Sequence, residues 1–429
     1  MKNLYRPRII DKNLDLISKV FNAINLVGPK GCGKTTTAKR RVQTVFEFQD
    51  EEKRENLLSI ATYSPSRLLK NPKPILFDEW QDAPKVWGTI RKDCDDNPED
   101  VGSYYLTGST SARVETPHTG TVRISTMKMD PMSLFESGKS NGQVSLWELF
   151  ENPASFESCE SPLSLDEVID AICVGGWPRC LMFGSISLQR EIAKDLYQQT
   201  CSRDISKIDG KKRKANWAKA ILRSYARNIC TLADSKTLFG DVRANFPISY
   251  PTFDDYVSAL EDLYIIEDIE AWRPSIRSKT NMRSGHKRNF IDPSIAVAAL
   301  GISPDYLRGD FRTLGFLFES LCIRDLRVYS SAHGGTISYY RDRLGLEADA
   351  VLHLEDGRYA LIEFKLGAPG VEDGCKHLCE IERLVAEHNE SGDGLSLRMP
   401  DLKIVITADG YGYRLDKGVF VIPIGCLKD

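Results

Sequence analysis

Residues 28 to 35 read Gly28-Pro29-Lys30-Gly31-Cys32-Gly33-Lys34-Thr35 and decide how the first part of this chain folds. They match the pattern G-x-x-x-x-G-K-[ST] in full, follow the apolar run 24–27 and precede a run that suits a helix. Glycines allow successive backbone N–H groups to close around phosphate oxygens, and a helix that starts there turns its positive dipole end toward the anion. The stretch predicts a phosphate-binding loop on a strand-to-helix turn. A plain glycine turn is the alternative.

The residues of this loop have separate predicted roles. Lys34 is expected to bind the terminal phosphates, and the Thr35 hydroxyl is expected to bind Mg²⁺. The position in the loop predicts that the nucleotide also contacts Gly28, Pro29, Lys30, Gly31, Cys32, Gly33 and Thr36. The motif indicates ATP or GTP, and we take ATP with Mg²⁺ as the expected ligand.

Two carboxylates follow an apolar run some 45 residues downstream, in Ile75-Leu76-Phe77-Asp78-Glu79. At the end of a strand, Asp78 would hold Mg²⁺ through water, and Glu79 would orient and deprotonate the attacking water. The alternative is that both acids cap an exposed strand end. Thr107 or Ser109, at the end of the next apolar run, is a candidate γ-phosphate sensor, although a simple turn fits equally well. The acidic pair predicts hydrolysis as well as binding.

The chain divides into parts by its pattern of apolar runs. From about residue 20 to 140, short apolar runs alternate with helix-compatible stretches, which favours a parallel sheet covered on both faces. A helical region follows, then short helices with a strand at 264–268 in the order of a winged helix, and then a second α/β unit whose last predicted strand is 403–407. The predicted boundaries are a P-loop ATPase domain (1–145), a helical linking region (146–230), a winged-helix-like region (231–295) and a C-terminal α/β domain (296–429).

Composition sets limits on the class of protein. With 429 residues, 41% hydrophobic and 27% charged, the chain suits a globular protein of several domains. The net charge of −3 means that any binding to nucleic acid needs a local basic patch. The eleven cysteines contain no C-x-x-C pair, which suits reduced thiols, and no apolar run approaches 18 residues. We therefore expect a cytoplasmic protein without a membrane segment.

Four motifs together resemble prokaryotic AAA-class ATPases that carry a C-terminal DUF4143 domain. These motifs are Asp78-Glu79-Trp80-Gln81, Leu106-Thr107-Gly108-Ser109, Pro131-Met132-Ser133-Leu134-Phe135-Glu136-Ser137 and Gly175-Gly176-Trp177-Pro178. The resemblance spans nearly the whole chain. It implies an N-terminal ATPase of the AAA/ASCE type, a linking helical and winged-helix-like region, and a C-terminal nuclease-like module.

One arginine is a further candidate in this resemblance. Such ATPases often have His-Ser-Gly-Ala-Gly-Arg before a strand, where this chain has His118-Thr119-Gly120-Thr121-Val122-Arg123, so the arginine is kept and one glycine is not. Arg123 is a candidate for stabilising charge on the transferring phosphoryl group, either in cis or across the interface of a homo-oligomer. The alternative is an ordinary surface arginine.

The C-terminal part contains a second set of candidate residues. Glu363 and Lys365 point to the same face of an apolar strand, where a charged pair is costly unless it is partnered or functional. The order of Glu319 on a helix, Asp349 on a strand, then Glu363-x-Lys365, is similar to the PD-(D/E)xK nucleases, which have a restriction-endonuclease-like fold. That resemblance implies that Asp349 and Glu363 bind Mg²⁺, that Glu319 supports the metal and that Lys365 positions or activates water. The alternative is a structural ion pair in an inactive nuclease-like domain.

A basic cluster beside the winged-helix candidate points to double-stranded DNA as a partner. Its members lie within sixteen residues and are Arg273, Arg277, Lys279, Arg283, His286, Lys287 and Arg288. A solvated loop is the alternative. The leading hypothesis is an ATPase whose hydrolysis regulates access of DNA to the C-terminal part. The other hypothesis is an ATP-dependent signalling or scaffold switch that binds a protein partner.

Overall fold

A computed structural model describes residues 5–109, 122–272, 285–391 and 396–429. The helices of these residues are α1 Ile10–Ile17, α2 Lys34–Lys39, α3 Arg54–Tyr63, α4 Lys85–Asp96, α5 Leu146–Glu151, α6 Leu165–Val174, α7 Ile186–Gln199, α8 Ile205–Lys207, α9 Ala215–Arg227, α10 Ser235–Arg243, α11 Tyr250–Asp262, α12 Pro293–Leu300, α13 Pro304–Gly309, α14 Phe311–Ser331 and α15 Val371–Ser391. The strands are β1 Ala23–Val27, β2 Thr44–Glu47, β3 Ile75–Asp78, β4 Tyr104–Gly108, β5 Ile124–Lys128, β6 Val144–Ser145, β7 Cys159–Glu160, β8 Thr336–Arg341, β9 Glu347–His353, β10 Tyr359–Lys365, β11 Leu402–Thr407, β12 Tyr411–Arg414, β13 Val419–Pro423 and β14 Leu427–Lys428.

The N-terminal sheet is parallel throughout, as predicted, and its strand order is β2-β3-β4-β1-β5. Strand β4 lies between the strand that leads into the phosphate loop and the strand that carries Asp78. Strand β2 was not predicted, because Thr44–Glu47 is a short edge strand that is only half buried and so lacks a long apolar run. The carboxyl ends of β1, β3 and β4 meet at one edge of this sheet.

Helices cover both faces of the sheet, also as predicted. Because strand side chains alternate, Phe77 faces α3 and α4 and packs in one apolar cluster with Ile90. The opposite face carries Leu26, which packs in a separate cluster with Leu14 of α1 and Ala38 of α2. The sheet is therefore buried on both sides, which explains its continuous apolar strands.

The middle of the chain is helical, and its last part has the element order of a winged helix. Helices α9, α10 and α11 are followed by two antiparallel bridges, Ile266 with Phe290 and Ile269 with Lys287. Before them, between α7 and α8, the residues Thr200–Asp204 form a π-helical turn. Such turns are rare and are found frequently at functional sites.

The C-terminal part is a second α/β unit, and it contains more strands than the sequence predicts. Its sheet has the order β7-β12-β13-β11-β10-β9-β8. The prediction that 403–407 is the last strand was wrong, because β12 and β13 extend the sheet and β13 is buried along its whole length. Strand β14 then pairs with β6, which returns the end of the chain to residues 144–145.

A buried ionic network joins these parts. The Arg324 guanidinium on α14 donates to Asp292 Oδ2 at 2.9 Å and to Asp325 Oδ1 at 2.6 and 2.8 Å. Asp292 Oδ2 also accepts from the backbone N–H of Gly176, and Asp325 Oδ2 accepts from that of Leu134, at 2.9 and 2.8 Å. These pairs satisfy charges that would be very costly if left alone in the interior. Two of the family-like motifs therefore lie at the junction between the parts.

The cysteines agree with the expectation of reduced thiols. The eleven cysteines are free thiols and ten of them are buried, as expected for small core residues. Among the residues that the structure describes, no helix is long and apolar enough to cross a membrane.

Candidate functional site

The phosphate loop lies on a strand-to-helix turn, as the sequence indicates. Strand β1 ends at Val27 and α2 begins at Lys34, and between them the φ angles of Gly28, Gly31 and Gly33 are 145°, 81° and 107°. These are conformations that residues with a Cβ rarely adopt. A Cβ at Gly28 would also lie 2.2 Å from the carbonyl oxygen of Met129. The glycines are therefore needed for this shape of the loop.

Lys34 and Arg8 hold the loop from two directions. The Lys34 ammonium is buried and donates to the carbonyl oxygens of Gly28 and Pro29, both at 2.9 Å. The Arg8 guanidinium donates to the carbonyl oxygen of Cys32 at 2.8 Å and pairs with Glu136. Sequence reasoning missed Arg8, because a contact between residues 8 and 32 has no local motif. The buried cation of Lys34 lies inside the loop, where an anion would neutralise it.

Asp78 joins the phosphate loop to the two neighbouring strands. Its Oδ1 accepts a hydrogen bond from Thr35 Oγ1 at 2.6 Å and another from Thr107 Oγ1. A threonine hydroxyl and a carboxylate are hard oxygen ligands of the kind that Mg²⁺ prefers. Thr35 and Asp78 therefore fit the predicted Mg²⁺ site and would hold the ion directly or through water. Bound there, Mg²⁺ would neutralise charge on the phosphates.

Glu79 lies next to Asp78 in a strained backbone conformation. Its φ of 53° and ψ of 50° are in the left-handed region, which is uncommon for a residue other than glycine and is often found at functional sites. The Glu79 carboxylate accepts hydrogen bonds from Ser109 Oγ at 3.0 Å and from Gln81 Nε2. It thus has a fixed orientation at the same edge of the sheet as the loop.

A cleft of about 530 Å³ opens beside the loop. The ATPase part contributes Lys30, Gln81 and Ser109 to its walls, and the middle part contributes Trp177 and Asp204. Asp204 belongs to the π-helical turn, and its Oδ1 pairs with Lys30 Nζ at 2.8 Å. The candidate nucleotide site is therefore bounded by two parts of the chain.

The structure corrects the prediction that Arg123 acts on the nucleotide bound to its own subunit. Arg123 precedes β5, whose first residue Ile124 is in register with Ala23 at the start of β1. The phosphate loop follows the other end of β1, about 13 Å away at 3.3 Å per residue. The Arg123 side chain instead pairs with Asp95 at 2.6 Å. A role across a subunit interface stays a prediction.

The C-terminal candidates converge on one pocket of about 410 Å³. Glu319 comes from α14, Asp349 from β9, and Glu363 and Lys365 from β10. Lys365 Nζ lies 2.5 Å from Glu363 Oε2, and Asp349 Oδ2 accepts from the backbone N–H of Phe364 at 2.9 Å. The four residues that the helix-strand-strand pattern singled out in the sequence therefore lie close together in the structure.

Lys287 also enters this pocket, which corrects its predicted place in a DNA-contacting wing. Its ammonium lies 2.9 Å from Glu319 and 2.5 Å from Glu347, and only 3% of its side chain is exposed. Arg288 is half-buried and pairs with Asp268 at 2.5 Å. His286 is exposed. The other predicted basic residues lie outside the described residues: Arg273, Arg277, Lys279 and Arg283.

Burial and mutual repulsion shift the proton affinities in this pocket. Burial, together with the Asp349 charge, raises the pKa of Glu319 and that of Glu363 to about 8. Burial alone would lower the pKa of Lys287, but the carboxylates of Glu319 and Asp349 outweigh it and raise that pKa. Both carboxyl groups therefore release their protons at a higher pH than an exposed glutamate does, although the ammonium groups of Lys287 and Lys365 oppose this rise in pKa.

The side chains of this pocket, in the positions that the structure gives them, are not arranged to bind the predicted Mg²⁺. In the described ranges, no group of three or more His, Cys, Asp or Glu side chains is arranged to hold a metal ion. The predicted ligands Glu319, Asp349 and Glu363 are instead paired with, or close to, the ammonium groups of Lys287 and Lys365. This is a physical reason to doubt the direct metal role that the resemblance implies.

We expect Glu319→Gln to flatten the pH dependence of stability. Because folding raises the Glu319 pKa from 4.5 to about 8, its contribution to stability is full below pH 4.5 and is lost as the pH rises toward 8. The thermal unfolding midpoint of the wild type should therefore fall more steeply than that of the variant between pH 5 and pH 8. Exposed Glu99→Gln is the control, and equal slopes for Glu319→Gln and wild type would contradict the assignment.

Three family models match separate parts of the chain. The chain matches an AAA domain family over residues 20–137, a domain of unknown function (DUF8612) over 165–306 and another (DUF4143) over 314–427. No curated protein matches it.

Two solved structures match the chain at low sequence identity. A Walker-type ATPase of Pyrococcus abyssi is 12% identical over 69% of this chain and 96% of that chain, with a TM-score of 0.42. A signal transduction ATPase with numerous domains (STAND) and a tetratricopeptide repeat sensor, from Pyrococcus horikoshii, is 12% identical over 76% and 48%, with a TM-score of 0.24. Together with the geometry of the phosphate loop, the family matches indicate an AAA domain in the N-terminal part of the chain and a DUF4143 domain in its C-terminal part.

Proposed function

We propose that the chain hydrolyses ATP in a reaction that requires Mg²⁺. The observation that carries this proposal is the set of contacts at the carboxyl edge of the sheet, where Thr35 and Thr107 both bond to Asp78 and Glu79 follows it. These are the parts that phosphoryl transfer to water needs: a cradle, a metal site and a residue that positions the nucleophile.

Each side chain has one task in this proposal. Lys34 neutralises the terminal phosphates, while Thr35 and Asp78 hold Mg²⁺. The Glu79 carboxylate takes the proton of the attacking water, and its hydrogen bonds with Ser109 and Gln81 orient it for that task. Two hydroxyl contacts keep Asp78 in place before the metal arrives.

Phosphate release from ATP by the full chain tests this proposal. The wild type should release phosphate with Mg²⁺ and stop when EDTA is added. Asp78→Asn should lower the rate by about 10- to 100-fold, as is typical when the support of a metal is weakened. Asp96→Asn, an exposed change at the end of α4, is the control. A rate that is unchanged in Asp78→Asn would contradict the metal role.

A second candidate function is cleavage of double-stranded DNA at the C-terminal pocket. The convergence of Glu319, Asp349, Glu363 and Lys365 favours it. It predicts that DNA stimulates ATP turnover and that Mg²⁺- or Mn²⁺-dependent nicking of plasmid is lost in Asp349→Ala. Absence of DNA binding at low salt would contradict it.

The alternative is a signalling or scaffold switch whose C-terminal domain binds a protein partner and cleaves nothing. In that case a protein should co-purify with the chain in an ATP-dependent way, and Asp349→Ala should have no effect.

A further inference from the structure

The ammonium of Lys287 is a positive charge surrounded by acidic side chains of the C-terminal pocket. Its Nζ lies 2.5 Å from Glu347 Oε1, 2.9 Å from Glu319 Oε1 and 3.9 Å from Asp349 Oδ1. Three carboxylates from two different elements, α14 and β9, are thus directed at one cation. Sequence reasoning did not include Glu347, although it lies two residues before Asp349 and so points to the same face of β9.

The position of Lys287 is fixed by the fold. Its backbone N–H donates to the carbonyl oxygen of Ile269 at 3.0 Å, and its carbonyl oxygen accepts from the N–H of Ile269 at 2.8 Å. This residue therefore belongs to the antiparallel ribbon that follows α11. The ammonium also lies 5.5 Å from the centre of the Tyr339 ring, a favourable contact for a cation. The ribbon belongs to the middle part of the chain, whereas the carboxylates belong to the C-terminal part. Lys287 is therefore a cation that one part of the chain inserts into the other.

The two lysines divide the acids of the pocket between them. Lys365 pairs with Glu363 at 2.5 Å, while Lys287 pairs with Glu319 and Glu347. A buried ammonium is tolerated only where carboxylates compensate for its lost hydration, and here they do. A divalent cation among the same carboxylates would lie within a few ångströms of this ammonium, and the repulsion between like charges would oppose its binding.

We propose that Lys287 is the resident cation of the pocket and takes the place that a divalent metal ion would have among Glu319, Glu347 and Asp349. The chain then binds a divalent cation there only when the Lys287 side chain is removed or displaced. Metal-dependent cleavage, the second candidate function, would require Lys287 to leave. The inference does not depend on ATP hydrolysis, because it concerns only the nucleotide-free chain.

Binding of Mn²⁺ to the nucleotide-free full chain tests this proposal, with free Mn²⁺ measured by electron paramagnetic resonance. Lys287→Met keeps most of the side-chain volume and removes the charge, so it should gain a site that binds Mn²⁺ at least tenfold more tightly than the wild type does. Adding Asp349→Asn to that variant should remove the new site. Arg341→Met is the matched control, because Arg341 also faces Glu347, at 3.5 Å, but is half exposed.

The outcomes are distinct. A Lys287→Met chain that binds no more Mn²⁺ than the wild type would overturn the proposal. The wild type supplies an independent test that does not depend on how well the variant folds: wild type and Asp349→Asn should bind Mn²⁺ equally. A wild-type site that disappears in Asp349→Asn would show that metal and Lys287 coexist, and would also overturn the proposal.

Discussion

Lys34→Ala is expected to abolish measurable ATP turnover and to weaken nucleotide binding by about 100-fold. The Lys34 ammonium is buried inside the loop, where it donates hydrogen bonds to the carbonyl oxygens of Gly28 and Pro29. Charge-assisted hydrogen bonds contribute about 1.5–3 kcal/mol each, and about 3 kcal/mol corresponds to roughly a 100-fold change in affinity. The measurements are titration with a fluorescent ATP analogue and phosphate release.

Lys39→Ala is the matched control for this variant. Lys39 lies on the same helix, but its exposed ammonium pairs with Glu47 at the surface. The control should keep both binding and turnover, because an exposed ion pair contributes little. Turnover by Lys34→Ala within about threefold of the wild-type rate would show that the loop does not serve the reaction. Loss of a contact that contributes about 1.4 kcal/mol would already change the rate by about tenfold.

Glu79→Gln is expected to keep ATP binding and to lower turnover by about 10²- to 10⁴-fold, the range for loss of a general base. Glutamine has nearly the same shape and still accepts a hydrogen bond from Ser109, but it does not take a proton from water. Binding of the ATP analogue and single-turnover hydrolysis separate the two effects.

The control for this variant is Glu55→Gln, an exposed acid in the first turn of α3. It should match the wild type in both assays. If Glu79→Gln lost binding and turnover in parallel, Glu79 would be a residue that shapes the site rather than one that activates water. Equal turnover of Glu79→Gln and wild type would remove Glu79 from the mechanism.

The sequence predicts the phosphate-loop turn and the position of Asp78 beside it because both follow local rules. The glycines and Lys34 lie in one continuous motif, and Asp78 follows a buried strand whose carboxyl end must lie beside the loop in a parallel sheet. Arg123 was misplaced because it precedes its strand, and the amino ends of parallel strands lie at the opposite edge. Strand direction was therefore the missing information.

The C-terminal site was predicted only in part, for a different reason. Alternation along β10 and the order of elements suffice to bring Glu319, Asp349 and Glu363 together. The pairing of Lys287 with Glu319 joins residues 32 positions apart through the packing of the ribbon against α14, and no local pattern encodes it. A basic run in the sequence therefore looked like a wing, although two of its members are ion-pair partners, Lys287 buried and Arg288 half-buried.

Hydrolysis of ATP with Glu79 as the general base is tested most directly by phosphate release from the purified full chain at saturating ATP and Mg²⁺, measured beside Glu79→Gln. We expect steady turnover by the wild type and almost none by Glu79→Gln, while both bind the nucleotide equally. A wild-type chain that binds ATP but releases no phosphate would contradict it, and so would turnover that does not depend on Glu79.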